Sequence, residues 1–198
     1  RWYSGVDYNM KLSFLPLKTE EFRNYWAEMQ YCVDFALCNR KLMMKRIQEV
    51  ITDAVPNITF DPMINIAHNY AVWERHYGMS VIVHRKGATL AQKGTIGIIP
   101  GSQGTASYIV EGLGNPESFC SCSHGAGRVM SRTAAIKNLD MEKEVGRLNS
   151  LGIIHAIRNQ NDMQEASSAY KDIDVVMANQ KDLVEIKTKL LPIAVIKG

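Results

Sequence analysis

Residues 119–132 read FCSCSHGAGRVMSR, and this short stretch contains three kinds of local sequence in succession. Two cysteines and a histidine alternate with serines in its first half, a spacing that puts the three side chains on one face of a β-strand. Two glycines then favour a turn, and a helix is predicted over residues 129–138. A strand, a turn and a helix in such close succession indicate a chain of mixed α and β structure.

The periodicity outside this stretch gives the same fold class. Apolar residues recur at helical spacing from Glu20 to Thr52, and Thr19 is suited to cap that helix. A second helix is predicted over residues 170–190. Strands are predicted at residues 63–70, 79–84, 95–99, 107–110 and 193–196. We therefore expect an α+β fold in which long helices flank a mixed sheet core.

Composition excludes several classes of protein. The 198 residues are 46% hydrophobic and 22% charged, which is ordinary for a globular domain with its own core. No apolar run approaches the roughly 20 residues of a membrane-spanning helix, and the start has no signal-peptide layout. Four cysteines are too few for a disulfide framework, so reduced thiols and a cytoplasmic location are expected. The net charge of +3 permits an anionic partner without requiring one.

The glycines after His124 suggest an anion site. Without a Cβ, Gly125 and Gly127 let backbone N–H groups approach a phosphate closely. If a helix begins here, Arg128 and Arg132 share one of its faces and suit the same anion. His124 could then attack phosphorus or transfer a proton. A glycine-rich turn with solvated side chains explains the spacing equally well.

The same stretch also admits a metal site. Cys120, Cys122 and His124 offer thiolates and an imidazole, the ligands that zinc prefers. Their spacing is not a common zinc spacing, however, and no second cysteine pair follows. Buried cysteines that act as small hydrophobic residues are the favoured interpretation. A zinc-binding redox or regulatory protein is accordingly the third and weakest hypothesis of function.

Two further stretches carry polar residues of interest. His68 could bind a metal and Asn69 could orient a neighbour, although a histidine in an apolar run is more often a core residue. The turn over residues 100–107, PGSQGTAS, offers small hydroxyls and backbone donors, and Arg85–Lys86 fits a solvated basic turn. The other histidines are interpreted as structural residues without a convincing partner: His76, His84 and His155.

Taken together, these motifs resemble the RtcB family, the 3′-phosphate/5′-hydroxyl RNA ligases of tRNA splicing and RNA repair. The resemblance covers nearly the whole chain and is weakest between Ala135 and Ser168. Its segments are HNY at 68–70, HRKGA at 84–88, IPGSQGTASYIV at 99–110, GLGN at 112–115, SHGAGRVMSR at 123–132, AYKDID at 169–174 and the terminal KG. Their order and the length of SHGAGRVMSR make chance agreement very improbable.

The resemblance implies an activity and a set of roles. Such enzymes use GTP and manganese and form a covalent histidine–GMP. The GMP passes to an RNA 3′-phosphate, and a 5′-hydroxyl then displaces it. The ends that are joined are an RNA 3′-phosphate or 2′,3′-cyclic phosphate end and a 5′-hydroxyl end. The resemblance leaves open whether a protein activator is a further partner. By the same resemblance, His124 matches the guanylylated histidine and His68 matches a manganese ligand. The positions matched to the nucleotide are Ser102 and Ser107 for guanylate contacts, Ala126 and Gly127 for the GMP phosphate, and Tyr170 and Lys197 for the guanine pocket. Arg128 and Arg132 match arginines on the RNA or phosphate path.

Two departures from the family pattern qualify that interpretation. Gln103 stands where the family more often has Met. The motifs that supply the other metal ligands, of the types DxGxGC, GNHF and HSGSRG, do not occur in residues 1–198. We therefore expect the chain to be the C-terminal part of a single catalytic domain of this kind. The alternative is a non-catalytic module that binds nucleotide or RNA and derives from such a ligase.

Overall fold

One long helix, α1 (Glu20–Ala54), is the main element of the first part of the chain. The computed structural model describes Asn9 and residues 14–196, which fall into two compact units divided after Pro62. The Thr19 hydroxyl accepts a hydrogen bond from the Phe22 N–H at 3.2 Å, and this cap satisfies one of the unpaired donors of the first turn. The predicted helix and its cap are confirmed, with an end two residues later than expected.

The second unit begins its regular structure with a β-hairpin. Strands β1 (Asn69–His76) and β2 (Met79–Lys86) pair antiparallel, and Tyr77 and Gly78, at φ 51° and 79°, form the tight turn between them. The predicted strand over residues 63–70 is wrong in position, because only its last two residues enter β1. The charged side chains of β1 interrupt its apolar pattern, and one of them, Glu74, is paired inside the protein.

The remaining strands form two small antiparallel sheets. Strand β3 (Ala88–Leu90) pairs with β6 (Ser121–Ser123), while β4 (Ile96–Ile99), β5 (Ser107–Gly112) and β7 (Val184–Leu190) pair in the order β4–β5–β7. The strands predicted at 79–84, 95–99 and 107–110 are confirmed within two residues at their ends. Helices together with these sheets confirm the α+β class.

The second helix predicted over residues 170–190 is wrong. The chain forms only a short helix there, α4 (Ile173–Ala178), and then the edge strand β7. The sequence of β7, VEIKTKL, alternates apolar or uncharged residues with charged ones, which is the period of a strand. Its pairing with β5 therefore outweighs the helical spacing that a longer window shows.

Two other helices lie between the candidate site and α4. Helix α2 (Arg132–Asn138) begins after Ser131, whose hydroxyl accepts from the Ala134 N–H, so the helix predicted from Val129 starts three residues later than expected. Helix α3 (Met141–Ser150) follows it, and 3₁₀ helices occupy Gln160–Glu165 and Ser167–Ala169. The strand predicted over 193–196 is reduced to one parallel bridge between Ile154 and Ala194.

The hydrophobic core of the second unit lies beneath the candidate site. It joins side chains of β4, β5, β6, β7 and α4, among them Ile99, Tyr108, Val110, Ile173 and Met177. Cys122 and Ala126, two residues before and after His124, are also buried in this core. Both sides of the His124 loop are thus anchored by apolar burial. Among the residues that the structure describes, no helix is long and apolar enough to cross a membrane.

Candidate active site

His124 follows β6, and a backbone carbonyl fixes its imidazole. Its Nδ1 lies 2.8 Å from the carbonyl oxygen of Gly87. A carbonyl can only accept, so Nδ1 carries the proton and Nε2 keeps a lone pair. Gly87 adopts φ 75°, and an added Cβ would lie 3.7 Å from the His124 ring. Glycine is therefore required by the backbone conformation that aims this carbonyl at the histidine.

His68 lies directly against His124. The two rings stack with centroids 5.2 Å apart and planes inclined by 20°. The Gly87 N–H donates to the His68 carbonyl at 3.0 Å, so one glycine joins both histidine segments. His68 is exposed, so it is not a core residue. The described part of the chain contains no group of three His, Cys, Asp or Glu side chains placed to hold a metal ion.

Backbone groups of the loop after His124 are hydrogen-bonded within the protein. The Ser123 hydroxyl donates to the Gly125 carbonyl at 2.5 Å, and the Ala126 N–H donates to the Pro100 carbonyl at 2.9 Å. Gly127 follows at φ 73°. These bonds hold the loop against the residue 100–107 turn. They also commit the Ala126 N–H to the protein, so any contact of Ala126 with a phosphate would involve its other atoms.

The residue 100–107 turn packs beside that loop. The Ser102 N–H donates to Thr105 Oγ1 at 2.7 Å, and the Gly101 N–H lies 3.4 Å from Ser107 Oγ. Gln103 has a buried Oε1 without a hydrogen-bond partner among the described residues. A buried acceptor without a donor is costly, and a ligand that brings an N–H or O–H would remove that cost.

Glu165 links the two arginines and Tyr170. Arg132 Nε donates to Glu165 Oε1 at 3.0 Å, Arg128 Nη1 lies 3.5 Å from Glu165 Oε2, and the Tyr170 hydroxyl donates to the same carboxylate. Burial raises the pKa of Glu165, but the hydrogen bonds from Tyr170 and Arg132 outweigh it and keep that pKa below its ordinary range. Burial and the neighbouring carboxylate both raise the pKa of Tyr170, so its hydroxyl stays protonated.

Arg128 lies outside the helix and is held by the protein. Its Nε donates to the Met130 carbonyl at 3.0 Å, its Nη1 to the Tyr170 hydroxyl at 3.0 Å and its Nη2 to the Gln164 carbonyl at 2.6 Å. Its guanidinium also lies 4.9 Å from the centre of the Tyr170 ring. The expectation that Arg128 and Arg132 share a helical face is wrong, because α2 begins only at Arg132. The side chain of Arg132 is 67% exposed.

A cavity of about 470 Å³ opens beside Tyr170. Thr105, Arg147, Lys171 and Lys189 are among the residues that line it. A volume of this order is within the range of small-molecule sites. Lys197, the other residue matched to a guanine pocket, lies outside the described residues.

Cys120 and Cys122 occupy different environments, and among the described residues neither belongs to a group of three metal-binding side chains. Cys122 is 5% exposed and its Sγ lies 3.2 Å from Thr89 Oγ1. Burial raises the pKa of the Cys122 thiol, which disfavours the thiolate that zinc needs. Cys120 precedes β6 with φ 49°, so the strand that would align it with Cys122 does not include it. The structure supports the interpretation of Cys122 as a small hydrophobic residue.

Arg85, Glu74 and His76 form a buried cluster that the sequence does not reveal. Arg85 is 1% exposed and makes a two-pronged ion pair with Glu74, with contacts of 2.5 and 3.0 Å. A solvated turn, one of the interpretations that the sequence allows for Arg85–Lys86, therefore does not hold for Arg85. His76 was expected to have no convincing partner, but its Nε2 lies 2.7 Å from Glu74 Oε2. Their spacing in β1 and β2 becomes informative only after the hairpin register is known.

Comparisons with known proteins identify a family for this chain. The family model described as tRNA-splicing ligase RtcB matches residues 5–198. The chain is 41% identical over 193 residues to the RNA-splicing ligase RtcB of Escherichia coli (strain K12), covering 94% of this chain and 47% of that relative. It is 33% identical to the tRNA-splicing ligase RtcB of Nanoarchaeum equitans and 34% identical to the RNA-splicing ligase RtcB of Mycobacterium bovis, with 95% of this chain covered in each case and 45% and 48% of those relatives.

The matches indicate the class of protein and its family. The α+β chain is similar over nearly its whole length to proteins named as RNA-splicing ligases. The chain belongs to the RtcB family. It spans about half the length of the curated relatives that it matches.

Proposed function

We propose that this chain is the part of a GTP- and manganese-dependent RNA ligase that carries the guanylylated histidine. The enzyme would join RNA 3′-phosphate or 2′,3′-cyclic phosphate ends to 5′-hydroxyl ends, in tRNA splicing or RNA repair in the cytoplasm. Membership of the RtcB family supports this proposal. The single observation that carries it is the contact between His124 Nδ1 and the Gly87 carbonyl, which leaves Nε2 as a nucleophile.

The first chemical step follows from that geometry. His124 Nε2 would attack the α-phosphorus of GTP, so that a P–N bond forms and the P–O bond to pyrophosphate breaks. The ring becomes positively charged, and the carbonyl of Gly87 stabilises that charge through the Nδ1–H. The GMP would pass from His124 to an RNA 3′-phosphate. A 5′-hydroxyl would then displace GMP and close the RNA strand.

The manganese part of the proposal rests on one ligand in the described chain. His68 is exposed beside His124 and is suited to bind a metal through its ring. Manganese requires about six ligands, mostly oxygen, and the described residues do not supply such a set. The described residues alone therefore do not fit a complete manganese site.

The nucleotide would lie between the residue 100–107 turn and Tyr170. Ser102 and Ser107 are proposed to contact the guanylate, and the buried Oε1 of Gln103 offers an acceptor to a donor on the base or ribose. Ala126 and Gly127 would lie at the phosphate. The guanine is proposed to lie in the cavity beside Tyr170, with Lys197 as a second contact to the base.

RNA ends are the proposed partners, and a protein activator remains an open part of the proposal. Arg132, which is largely exposed, is the better placed of the two arginines to meet an RNA phosphate. Arg128 would act on the RNA or phosphate path by holding Tyr170 and the segment around Gln164, because each of its nitrogens already donates to the protein.

Covalent labelling tests the proposal. We expect the complete natural protein to gain one GMP on incubation with GTP and manganese, as measured by intact mass and by label from [α-³²P]GTP. His124→Ala should take up no label, because the nucleophile is gone. His84→Ala is the matched control: His84 is an exposed histidine on β2, and its loss should leave labelling unchanged. Label on His124→Ala at the wild-type level would contradict the proposal.

A further inference from the structure

Arg85 joins its own strand, β2, to two other segments of the second unit, which are β1 and the turn that enters β6. Its guanidinium donates to the Tyr70 hydroxyl at 3.2 Å, to Ser121 Oγ at 2.9 Å and to the Phe119 carbonyl at 3.0 Å. Glu74 neutralises the charge from within the hairpin. The side chain of Arg85 has no exposed surface, so these contacts are shielded from water and are geometrically restrictive.

Each of these segments leads to one component of the candidate active site. Tyr70 lies two residues after His68, and Arg85 lies two residues before Gly87. Ser121 begins β6, which ends one residue before His124. The guanidinium therefore connects the chain segments that deliver the stacked histidine, the orienting carbonyl and the nucleophile.

The turn that enters β6 requires such an anchor. Phe119 and Cys120 have φ of 53° and 49°, a left-handed conformation that is unfavourable for residues with a side chain. Arg85 Nη2 donates to the carbonyl of Phe119, inside this strained pair. The Ser121 hydroxyl donates to the same carbonyl at 3.1 Å, and the Arg85 guanidinium donates to Ser121 Oγ as well. Loss of the guanidinium removes the shielded part of this anchor, which would let β6 and the residue that follows it shift.

We propose that Arg85, held by Glu74, is a positioning residue for guanylylation: it sets the distance between the Gly87 carbonyl and the His124 ring and so fixes the proton on Nδ1. Arg85 touches neither nucleotide nor RNA in this role. The proposal rests on the proposed function for its catalytic part, whereas the effect on the tautomer of His124 does not depend on it.

The test compares Arg85→Lys with wild type in the complete natural protein. Lysine keeps the positive charge, but its ammonium has three N–H donors and cannot serve the five acceptor atoms that Arg85 contacts. We expect the rate of covalent GMP incorporation per folded molecule to fall about 10- to 100-fold. Replacing a residue that orients a metal ligand through a hydrogen bond has an effect of this size, and Arg85 is proposed to orient His124 in a comparable way. The Kd for GTP should change less than about threefold, since no nucleotide contact is removed.

A spectroscopic readout separates positioning from mere stability. In protein with ¹⁵N-labelled histidine, wild-type His124 should show a single Nδ1–H tautomer, and Arg85→Lys should show a mixture of tautomers. Ile153→Ala is the control, because Ile153 is 4% exposed and makes none of these contacts. It should lower the midpoint of urea unfolding while the His124 signals and the rate per folded molecule stay at wild-type values.

The rate of GMP incorporation and the tautomer of His124 together decide the proposal. A single Nδ1–H tautomer and a wild-type rate in folded Arg85→Lys would overturn it. If that variant does not fold, Ser121→Ala removes one of the same hydrogen bonds at smaller cost, and an unchanged tautomer with an unchanged rate there would overturn it equally. If wild type takes up no GMP, the proposed function is wrong, and the tautomer comparison still decides whether Arg85 positions His124.

Discussion

At the scale of single residues, His124 is oriented by a backbone carbonyl that lies far from it in the sequence. The pattern around His124 indicates a nucleophile or an anion site because glycines, histidine and arginines are adjacent there. Its orienting group, Gly87, lies 37 residues away, and a backbone carbonyl has no residue-type signal. Glu165, 33 residues from Arg132, was missed for the same reason. Contacts of this kind depend on tertiary structure.

Glu165 allows a residue-scale prediction. Glu165→Gln removes the charge that two arginines share and leaves Arg128, whose side chain is 22% exposed, without its counter-ion. We expect the free energy of unfolding to fall by about 1–3 kcal/mol, the range for losing a charged hydrogen-bond partner in a partly buried site. The measurement is urea unfolding at neutral pH.

Arg132→Gln provides the comparison for that variant. It breaks only the pair of the largely exposed Arg132, so it should lower the free energy of unfolding less than Glu165→Gln does. Equal costs for the two variants would show that the exposed Arg132 contact, rather than the shared carboxylate, stabilises this cluster.

At the scale of elements, the sequence predicted what local periodicity controls. α1 and the strands β2, β4 and β5 follow their patterns closely. β7 was interpreted as helix because a window over residues 170–190 mixes the short α4 with an alternating strand, and only the pairing with β5 separates them. β1 was misplaced because its buried Glu74 interrupts the apolar pattern. Both errors arise where pairing or a buried ion pair overrides local preference.

At the scale of elements, alanine at two glycine positions should change the stability of the protein in opposite directions. A Cβ on Gly101 would lie 2.2 Å from the Ala106 carbonyl oxygen and 2.5 Å from Thr105 Oγ1, so Gly101→Ala should destabilise the turn by about 1–3 kcal/mol. Gly146, in α3, has nothing within 4 Å of an added Cβ. Gly146→Ala should therefore stabilise the protein by about 0.5–1 kcal/mol.

Thermal unfolding of the two glycine variants checks this prediction. A lower midpoint for Gly101→Ala and a higher one for Gly146→Ala are expected. A Gly101→Ala protein as stable as wild type would mean that the 100–107 turn can open without cost, and its close packing against the His124 loop would then not contribute to the rigidity of the site.

At the scale of the whole molecule, two partly buried carboxylates, Glu74 and Glu165, contribute to the stability of the second unit in their ionised form. Burial alone would raise the pKa of Glu74, but hydrogen bonds from Arg85 and His76 outweigh it and lower that pKa below the ordinary range. Glu165 is lowered in the same way. The native state therefore releases these protons more readily than the unfolded chain does.

Acid should consequently lower the free energy of unfolding, because the unfolded chain binds protons at these carboxylates more readily than the native state does. The stability contributed by Glu74 is fully present above the unfolded pKa of about 4.3 and is lost as the pH falls through its lower folded value. Urea unfolding at a series of pH values from about 7 to about 3 should show wild type losing stability steadily in acid. Glu74→Gln should be less stable at neutral pH but should lose less, so the difference between the two should narrow as the pH falls. A constant difference over that range would show that Glu74 keeps the same affinity for protons in both states, and that Arg85 is held by packing and not by the charge of its partner.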